Sequence, residues 1–276
     1  MTAPVFEHLK EIGAALGAAP YLLLGLDFDG TLAPIVARPE HAAIPEKTVS
    51  ILQCLAMRKD ITLAIVSGRG LADLKSLVPL DVILAGNHGF EITGQGLDFR
   101  HPDAEKNQAL LRRICGQLSR RLLTIPGAWV EDKGFTASVH FRSTEESAKG
   151  EVSGVVRATI GADNRDIVIR KGDQVLEIRP RVEWDKGSAV RWIRAHIPVC
   201  GTAVCYVGDD ETDEDVFSVV KGVTIRVGEP DGTAARFFVN GPDEVAKFLE
   251  WLLSARRSAE IRPAKENSRP PASLNR

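Results

Sequence analysis

The chain has 276 residues, enough for one large domain or two small ones. With 44% hydrophobic and 26% charged residues, its composition is that of a soluble globular protein rather than a fibre or a disordered chain. A formal net charge of −2 offers no global field for nucleic acid or an anionic membrane, and no protein partner is indicated.

The N-terminus has no charged-then-apolar secretory pattern. The most apolar stretch, residues 21–28, is far too short to span a bilayer, so a cytoplasmic protein is expected. Cys54, Cys115, Cys200 and Cys205 lack metal-type spacing and read as reduced thiols. Residues 5–17 predict an amphipathic helix. The run from Tyr21 to Asp29 is continuously apolar until it ends in carboxylates, the pattern of a strand buried on both faces of a parallel sheet. Similar strands are predicted at 61–66, 82–85, 203–207 and 222–227, with helices between them at 48–57, 71–77, 187–196 and 211–220. This alternation predicts a doubly wound α/β core, Rossmann-like in architecture.

The middle of the chain reads differently. Helices at 103–123 and 145–161 are interleaved with alternating strands at 128–131, 136–141, 166–171 and 175–179, the pairs reading as hairpins. This predicts an α+β module inserted into the core, with Gly94-Gln95-Gly96 and the approach to Trp184 as hinges. The end, 256–276, is polar, contains Pro263, Pro270 and Pro271, and has six basic against two acidic residues. Disorder is expected there.

The chemistry concentrates at strand ends. Asp27-Phe28-Asp29-Gly30-Thr31 directly follows the first buried strand, where charge is costly unless it serves a metal or a reacting group. Gly30 permits an abrupt turn that lets both carboxylates converge, and its exposed amides suit an anionic oxygen. Asp209 follows another buried strand and Gly208, whereas Glu211, Glu214 and Asp215 read as charges at a helix start. In an open parallel sheet, ligands bind where strand order reverses, so two acidic strand ends predict one shared metal site. Oxygen-only ligands favour a hard cation, Mg²⁺ before Ca²⁺. Ser67-Gly68-Arg69 ends a third strand, where a hydroxyl and amides can hold a phosphoryl oxygen. Lys186 opens a helix, a position unfavourable to a cation, which predicts an anionic partner.

Taken together, D-F-D-G-T (27–31), S-G-R (67–69), D-K-G (185–187) and G-D-D-E-T-D (208–213) resemble the four ordered motifs of the haloacid dehalogenase (HAD) superfamily of phosphatases. Residues 26–34, 86–89, 131–142, 176–180 and 208–213 further resemble the trehalose-6-phosphate phosphatase family, over about residues 20–255. The resemblance implies a HAD-like core of residues 1–97 and 184–257, a cap of residues 98–183 and a tail of residues 258–276. It implies Asp27 as a nucleophile that forms an aspartyl-phosphate, and Asp29 as general acid and base. Mg²⁺ would be held by Asp27, the Asp29 backbone carbonyl and Asp209, with Asp213 orienting a metal-bound water, while Ser67 and Lys186 stabilise phosphoryl charge.

By the same resemblance, Gly30 lies at the phosphate, and Glu131, Lys133, Arg142, Lys171 and Glu177 are candidate sugar contacts. Each of the five also reads as a solvated strand residue or a cross-strand ion pair. His88 either contacts substrate or stabilises its loop, and Arg69 either reaches substrate or flanks the phosphate site. Two other readings stand beside this one. The first is a phosphatase for another sugar phosphate, such as sucrose phosphate or mannosyl-phosphoglycerate. The second is a phospho-aspartate signalling domain, against which the inserted module and the paired acids both argue.

Overall fold

The computed structural model describes residues 2–260, except 37, 162, 163 and 173 and the side chains of 257–260. In chain order the elements are β1 (Ala3–Pro4), α1 (Leu9–Gly17), β2 (Tyr21–Leu26), α2 (Glu46–Ala56), β3 (Ile61–Val66), α3 (Leu71–Leu77) and β4 (Ile83–Gly86). There follow β5 (Glu91–Gly94), β6 (Leu97–Arg100), α4 (Pro102–Lys106), α5 (Gln108–Arg121), β7 (Trp129–Asp132), β8 (Ala137–His140), α6 (Glu146–Ile160), β9 (Ile167–Gly172) and β10 (Val175–Pro180). The chain ends with α7 (Lys186–Ala195), β11 (Thr202–Gly208), α8 (Glu214–Val219), β12 (Val223–Val227), β13 (Phe237–Val239) and α9 (Pro242–Glu260). Among the described residues, no helix is long and apolar enough to cross a membrane.

The larger sheet has the order β1-β13-β12-β11-β2-β3-β4-β5-β6, parallel from β1 through β4. Strands β2 and β3 consist almost entirely of buried aliphatic residues because helices cover both faces. Leu22, Leu24 and Leu26 of β2 pack into a cluster with α1, α2 and α9, while Leu23 faces α7 and α8. Each such leucine contributes on the order of 2 kcal/mol by leaving water. From β2 the chain winds outward through β3 and β4, and later outward the other way through β11, β12 and β13. Strand order therefore reverses between β2 and β11, and a crevice opens at their carboxyl ends.

The predicted hinge at Gly94–Gly96 is corrected by the structure. These residues turn a tight antiparallel hairpin, β5–β6, that extends the large sheet beyond β4. Gly94, Gln95 and Gly96 all have positive φ, as such a turn demands. The chain leaves the large sheet only after Arg100. The predicted helix over 103–123 is two helices that meet at Asn107. Strands β1, β5, β6 and β13 had no counterpart in the sequence reading, being two to four residues long.

The inserted segment forms its own antiparallel sheet, in the order β7-β8-β10-β9. Leu111, Ile114, Cys115 and Leu118 of α5 and Val152 and Val156 of α6 lie at helical spacing and bury one side of that sheet. The other side is left to face the large sheet's crevice. Helix α9 continues through Glu260, and the rest of the expected tail lies outside the described residues.

One close approach couples this core to the crevice. Gly25 lies in mid-strand beneath Tyr206 of β11, and a Cβ there would stand 2.6 Å from the tyrosine ring. Gly25→Ala is therefore expected to destabilise the chain by about 1–3 kcal/mol through overpacking, read as a lowered denaturant midpoint with an unchanged slope.

Candidate active site

Asp27 is the first residue beyond β2, and its amide donates to Val207 O at 2.9 Å, so the ladder holds it beside β11. Gly30, at φ +73°, then turns the chain back, and its amide donates to Ala33 O at 2.8 Å. A Cβ at Gly30 would overlap the Asp209 carboxylate, so only glycine lets the two strand ends close on each other. Asp27, Asp209 and Asp213 each present a carboxylate oxygen, and these oxygens lie within 4.8 Å of one another. The strand-order argument predicted this meeting of Asp27 and Asp209.

Lys186, at the first turn of α7, is 2% exposed and donates to Asp27 Oδ1 at 2.7 Å and to Asp213 Oδ1 at 2.8 Å. These are the anionic partners that its helix position called for. Asp213 is fully buried and also accepts from the Tyr206 hydroxyl at 2.7 Å and, through Oδ2, from the Asp210 amide at 2.9 Å. Burial opposes the Lys186 charge, but Asp213 and Asp27 outweigh it and hold its pKa above the ordinary lysine value. Burial likewise pushes the Asp27 carboxyl well up, with Lys186 opposing and Asp213 and Asp209 adding to the rise. Asp209 is pushed up to about 7 by burial and then by Asp213. Burial and Asp213 keep the Tyr206 phenol neutral, as its donor role requires. Three carboxylates thus share one ammonium, and the surplus negative charge is what a divalent cation would neutralise.

The third strand end brings Ser67 and Arg69 to the same crevice. The Ser67 amide donates to Ala85 O at 2.9 Å, and its hydroxyl oxygen accepts from the Arg69 amide at 3.2 Å. Arg69 is buried and grips Asp29 with two bonds, Nε to Oδ2 at 2.7 Å and Nη2 to Oδ1 at 2.8 Å. It also donates to Asp73 Oδ2 at 2.7 Å and Pro39 O at 2.9 Å. Both oxygens of Asp29 are therefore oriented by one guanidinium fork.

A cavity of about 980 Å³ lies between these groups and the smaller sheet. Asp27, Asp29, Ser67, Arg69, His88, Lys186 and Asp209 line one wall, and Glu131, Lys133, Arg142, Lys171 and Glu177 the other. Asp213 stands behind Lys186 and does not line it. His88 is buried at φ +57°, and its Nε2 meets Glu177 Oε1 at 3.1 Å. Burial pushes His88 down to about 4, so the ring is neutral and Nε2–H is the donor. Nδ1 is then left buried without a partner. Glu131 pairs with His140 Nε2 at 2.8 Å. Lys133 Nζ donates to Gly68 O at 3.2 Å, crossing from the small sheet to the Ser67 loop.

Several residues of this wall escaped the sequence reading. Strand register places Glu131, Ser138, Glu177 and Arg170 in one cross-strand row. Lys171 is paired with Leu176, whose side chain belongs to the apolar cluster beneath the sheet. Arg170 therefore occupies the row that faces the cavity with Glu177. The period of two, counted from Glu177 through the hairpin turn, could have found it. His140 was legible as a polar residue two positions from Ser138 on the same face. Tyr206 was legible only as a phenol inside an apolar strand, a buried donor in need of an acceptor.

A family model described as trehalose-phosphatase matches residues 25–236. The trehalose-phosphate phosphatase of Mycobacterium tuberculosis is 39% identical over 269 residues, covering 93% of this chain and 68% of the relative. A solved structure described as a trehalose-6-phosphate phosphatase related protein superposes with a TM-score of 0.76 at 25% identity, covering 86% of this chain and 99% of its own. A haloacid dehalogenase-like hydrolase from Bacteroides thetaiotaomicron shares the fold with a TM-score of 0.56 at 17% identity, covering 84% of this chain and 99% of its own. With the family model spanning most of the chain and the motifs meeting in one crevice, this chain belongs to the trehalose-phosphatase family.

Proposed function

We propose that this chain is a Mg²⁺-dependent phosphatase that hydrolyses trehalose 6-phosphate through an aspartyl-phosphate on Asp27. The observation that carries the reading is the position of Asp27. One carboxylate oxygen is held by buried Lys186, and the group faces a cavity whose opposite wall is a row of sugar-binding chemistry. Strands rich in charged side chains of this kind bind hydroxyl groups through several hydrogen bonds at once. Relatives bearing the trehalose-phosphate phosphatase name support the choice of substrate.

The donor set fits Mg²⁺. All the candidate ligands are oxygens, and the Asp27 and Asp209 carboxyls are pushed up first by burial and then by the neighbouring carboxylates. Asp27, Asp209 and the backbone carbonyl of Asp29 would hold the ion, with Asp213 behind them. Bound there, Mg²⁺ would supply the charge that offsets repulsion between Asp27 and a phosphate dianion.

Lys186 holds Asp27 in one rotamer, so its other oxygen is aimed at the incoming phosphorus. That oxygen bonds to phosphorus as the bond from phosphorus to the sugar oxygen breaks. Asp29 gives a proton to the departing sugar oxygen and then takes one from the water that attacks phosphorus. The acyl–phosphate bond breaks, and Asp27 and inorganic phosphate are released. The proton transfers require the Asp29 carboxylate to turn away from Arg69, which engages both of its oxygens. Ser67 and Lys186 stabilise the equatorial oxygens. The four-stranded unit acts as a cap that excludes water, with Glu131, Lys133, Arg142, Arg170, Lys171 and Glu177 as contacts for the disaccharide.

Phosphate release from trehalose 6-phosphate, compared with sucrose 6-phosphate and mannosyl-phosphoglycerate, tests the substrate. Clear preference for another compound would refute the trehalose assignment. Asp27→Asn is expected to fold normally and to lose turnover by roughly a thousandfold or more, since an amide cannot act as the nucleophile. Asp29→Asn should lose about 10²–10⁴-fold in kcat with a smaller change in KM. A chelator should abolish turnover, and Mg²⁺ should restore it. Without any substrate, Mg²⁺ should raise the melting temperature of the wild type and not of Asp209→Asn, because the ion binds only the folded carboxylate cluster.

A further inference from the structure

The loop after β4 contains two consecutive non-glycine residues in left-handed conformation, Asn87 at φ +51° and His88 at φ +57°. Such a pair is uncommon and persists only where the surroundings impose it. The backbone is imposed from below. The Asn87 amide donates to Arg69 O at 2.7 Å and the His88 amide to Ser67 O at 2.9 Å, which ties this loop to the phosphate-site loop. The side chains, by contrast, point outward to the four-stranded sheet. The Asn87 side chain is fully buried and makes three of its four possible hydrogen bonds. Its Oδ1 accepts from Thr136 Oγ1 at 2.6 Å, and its Nδ2 donates to Lys133 O at 3.0 Å and to Glu91 Oε2 at 2.8 Å.

Lys133 and Thr136 are the two ends of the turn between β7 and β8, where the Lys133 amide donates to Thr136 O at 3.0 Å. One amide group thus grips both ends of the turn that delivers Lys133 to the cavity. Chemically, an amide is the group this requires. It offers an acceptor to a hydroxyl and two donors to a carbonyl and a carboxylate, all without a net charge to bury. None of these partners belongs to the reacting centre, and Asn87 does not line the cavity.

We propose that Asn87 is a positioning residue for the sugar half of the substrate. It sets the β7–β8 turn against the phosphate site, and so fixes where Lys133 meets the disaccharide relative to the scissile phosphate. The proposal rests on the functional reading above and extends it to a residue that touches neither phosphate nor sugar. A small aryl phosphate reaches the phosphate site without using the cap wall, so it separates positioning of the cap from integrity of the core.

The test compares Asn87→Asp and Thr136→Val with the wild type, using p-nitrophenyl phosphate and whichever sugar phosphate the wild type prefers, with Mg²⁺ throughout. Asn87→Asp keeps the shape but sets an acceptor against Lys133 O and the Glu91 carboxylate, whereas Thr136→Val removes the hydroxyl from the cap side and leaves the core loop untouched. Each variant is expected to raise KM for the sugar phosphate by about tenfold, with kcat/KM for the aryl phosphate within about twofold of wild type. The double variant should lose less than the product of the single losses, because both substitutions break one linkage. Amide hydrogen exchange should quicken across the Lys133–Thr136 turn and stay unchanged in β2. A parallel loss on both substrates would overturn the proposal and make Asn87 a support of the core. An unchanged KM for the sugar phosphate in Thr136→Val would overturn it from the other side. Should Asn87→Asp fail to fold, Thr136→Val alone decides. A wild type that prefers a sugar phosphate other than trehalose 6-phosphate would refute the substrate assignment and leave this test intact.

Discussion

The organisation of the crevice depends on one buried ammonium. Lys186 lies almost fully buried between Asp27 and Asp213, with Asp209 close by. Burying an isolated charge of this kind costs several kcal/mol even after relaxation, and two close carboxylates repay it only in good geometry. Three separate stretches of chain must therefore be brought to one point: the end of β2, the start of α7 and the loop after β11. The fold supplies that point where the strand order reverses. The leucines of β2, buried on both faces, supply the hydrophobic stability that lets the charges be crowded there.

The site is also unbalanced by construction. One lysine cannot neutralise Asp27, Asp209 and Asp213, and the Asp209 carboxyl is pushed up to about 7 by burial and by Asp213. This is the arrangement expected of a place that receives a cation rather than of a closed structural ion pair. Tyr206 enters the same network from the core, donating to Asp213 while its ring presses on Gly25. Packing inside the sheet and hydrogen bonding at its edge are therefore coupled through a single side chain.

Opposite the carboxylates, the small sheet contributes alternate residues along its strands. Glu131, Ser138, Glu177 and Arg170 form one row because antiparallel register sets directly opposed residues on the same face. The two walls meet at the Asn87–His88 loop, where core side chains bond to Thr136, to Lys133 O and to Glu177. Besides a small apolar cluster of Phe90, Ala104 and Phe135, the two halves are joined by a few buried polar contacts. Such contacts are directional, so they specify a position as well as contributing stability.

Much of this was legible in the sequence. Unbroken aliphatic runs marked β2, β3, β4 and β11 as doubly covered strands. Acids directly behind β2 and β11, set off by Gly30 and Gly208, marked the crevice where the carboxylates meet, because charge at the end of such a strand has few other uses. Helical spacing in 103–123 and alternation in 128–179 marked the inserted unit. The sequence reading failed where the deciding partner is distant in the chain. Gly94–Gly96 reads equally well as a hinge or as a hairpin turn, and only pairing of β5 with β4 decides it. Lys171 and Arg170 are neighbours, and only the register against Leu176 and Glu177 tells which stands in the row of Glu177. Asn87 gives no local sign of its bonds to Lys133 and Thr136, which lie 46 and 49 residues further on. Local periodicity and residue chemistry determine which elements form and what chemistry they bear. Long-range register and loop-to-loop hydrogen bonds, which have no local code, decide which of those groups meet.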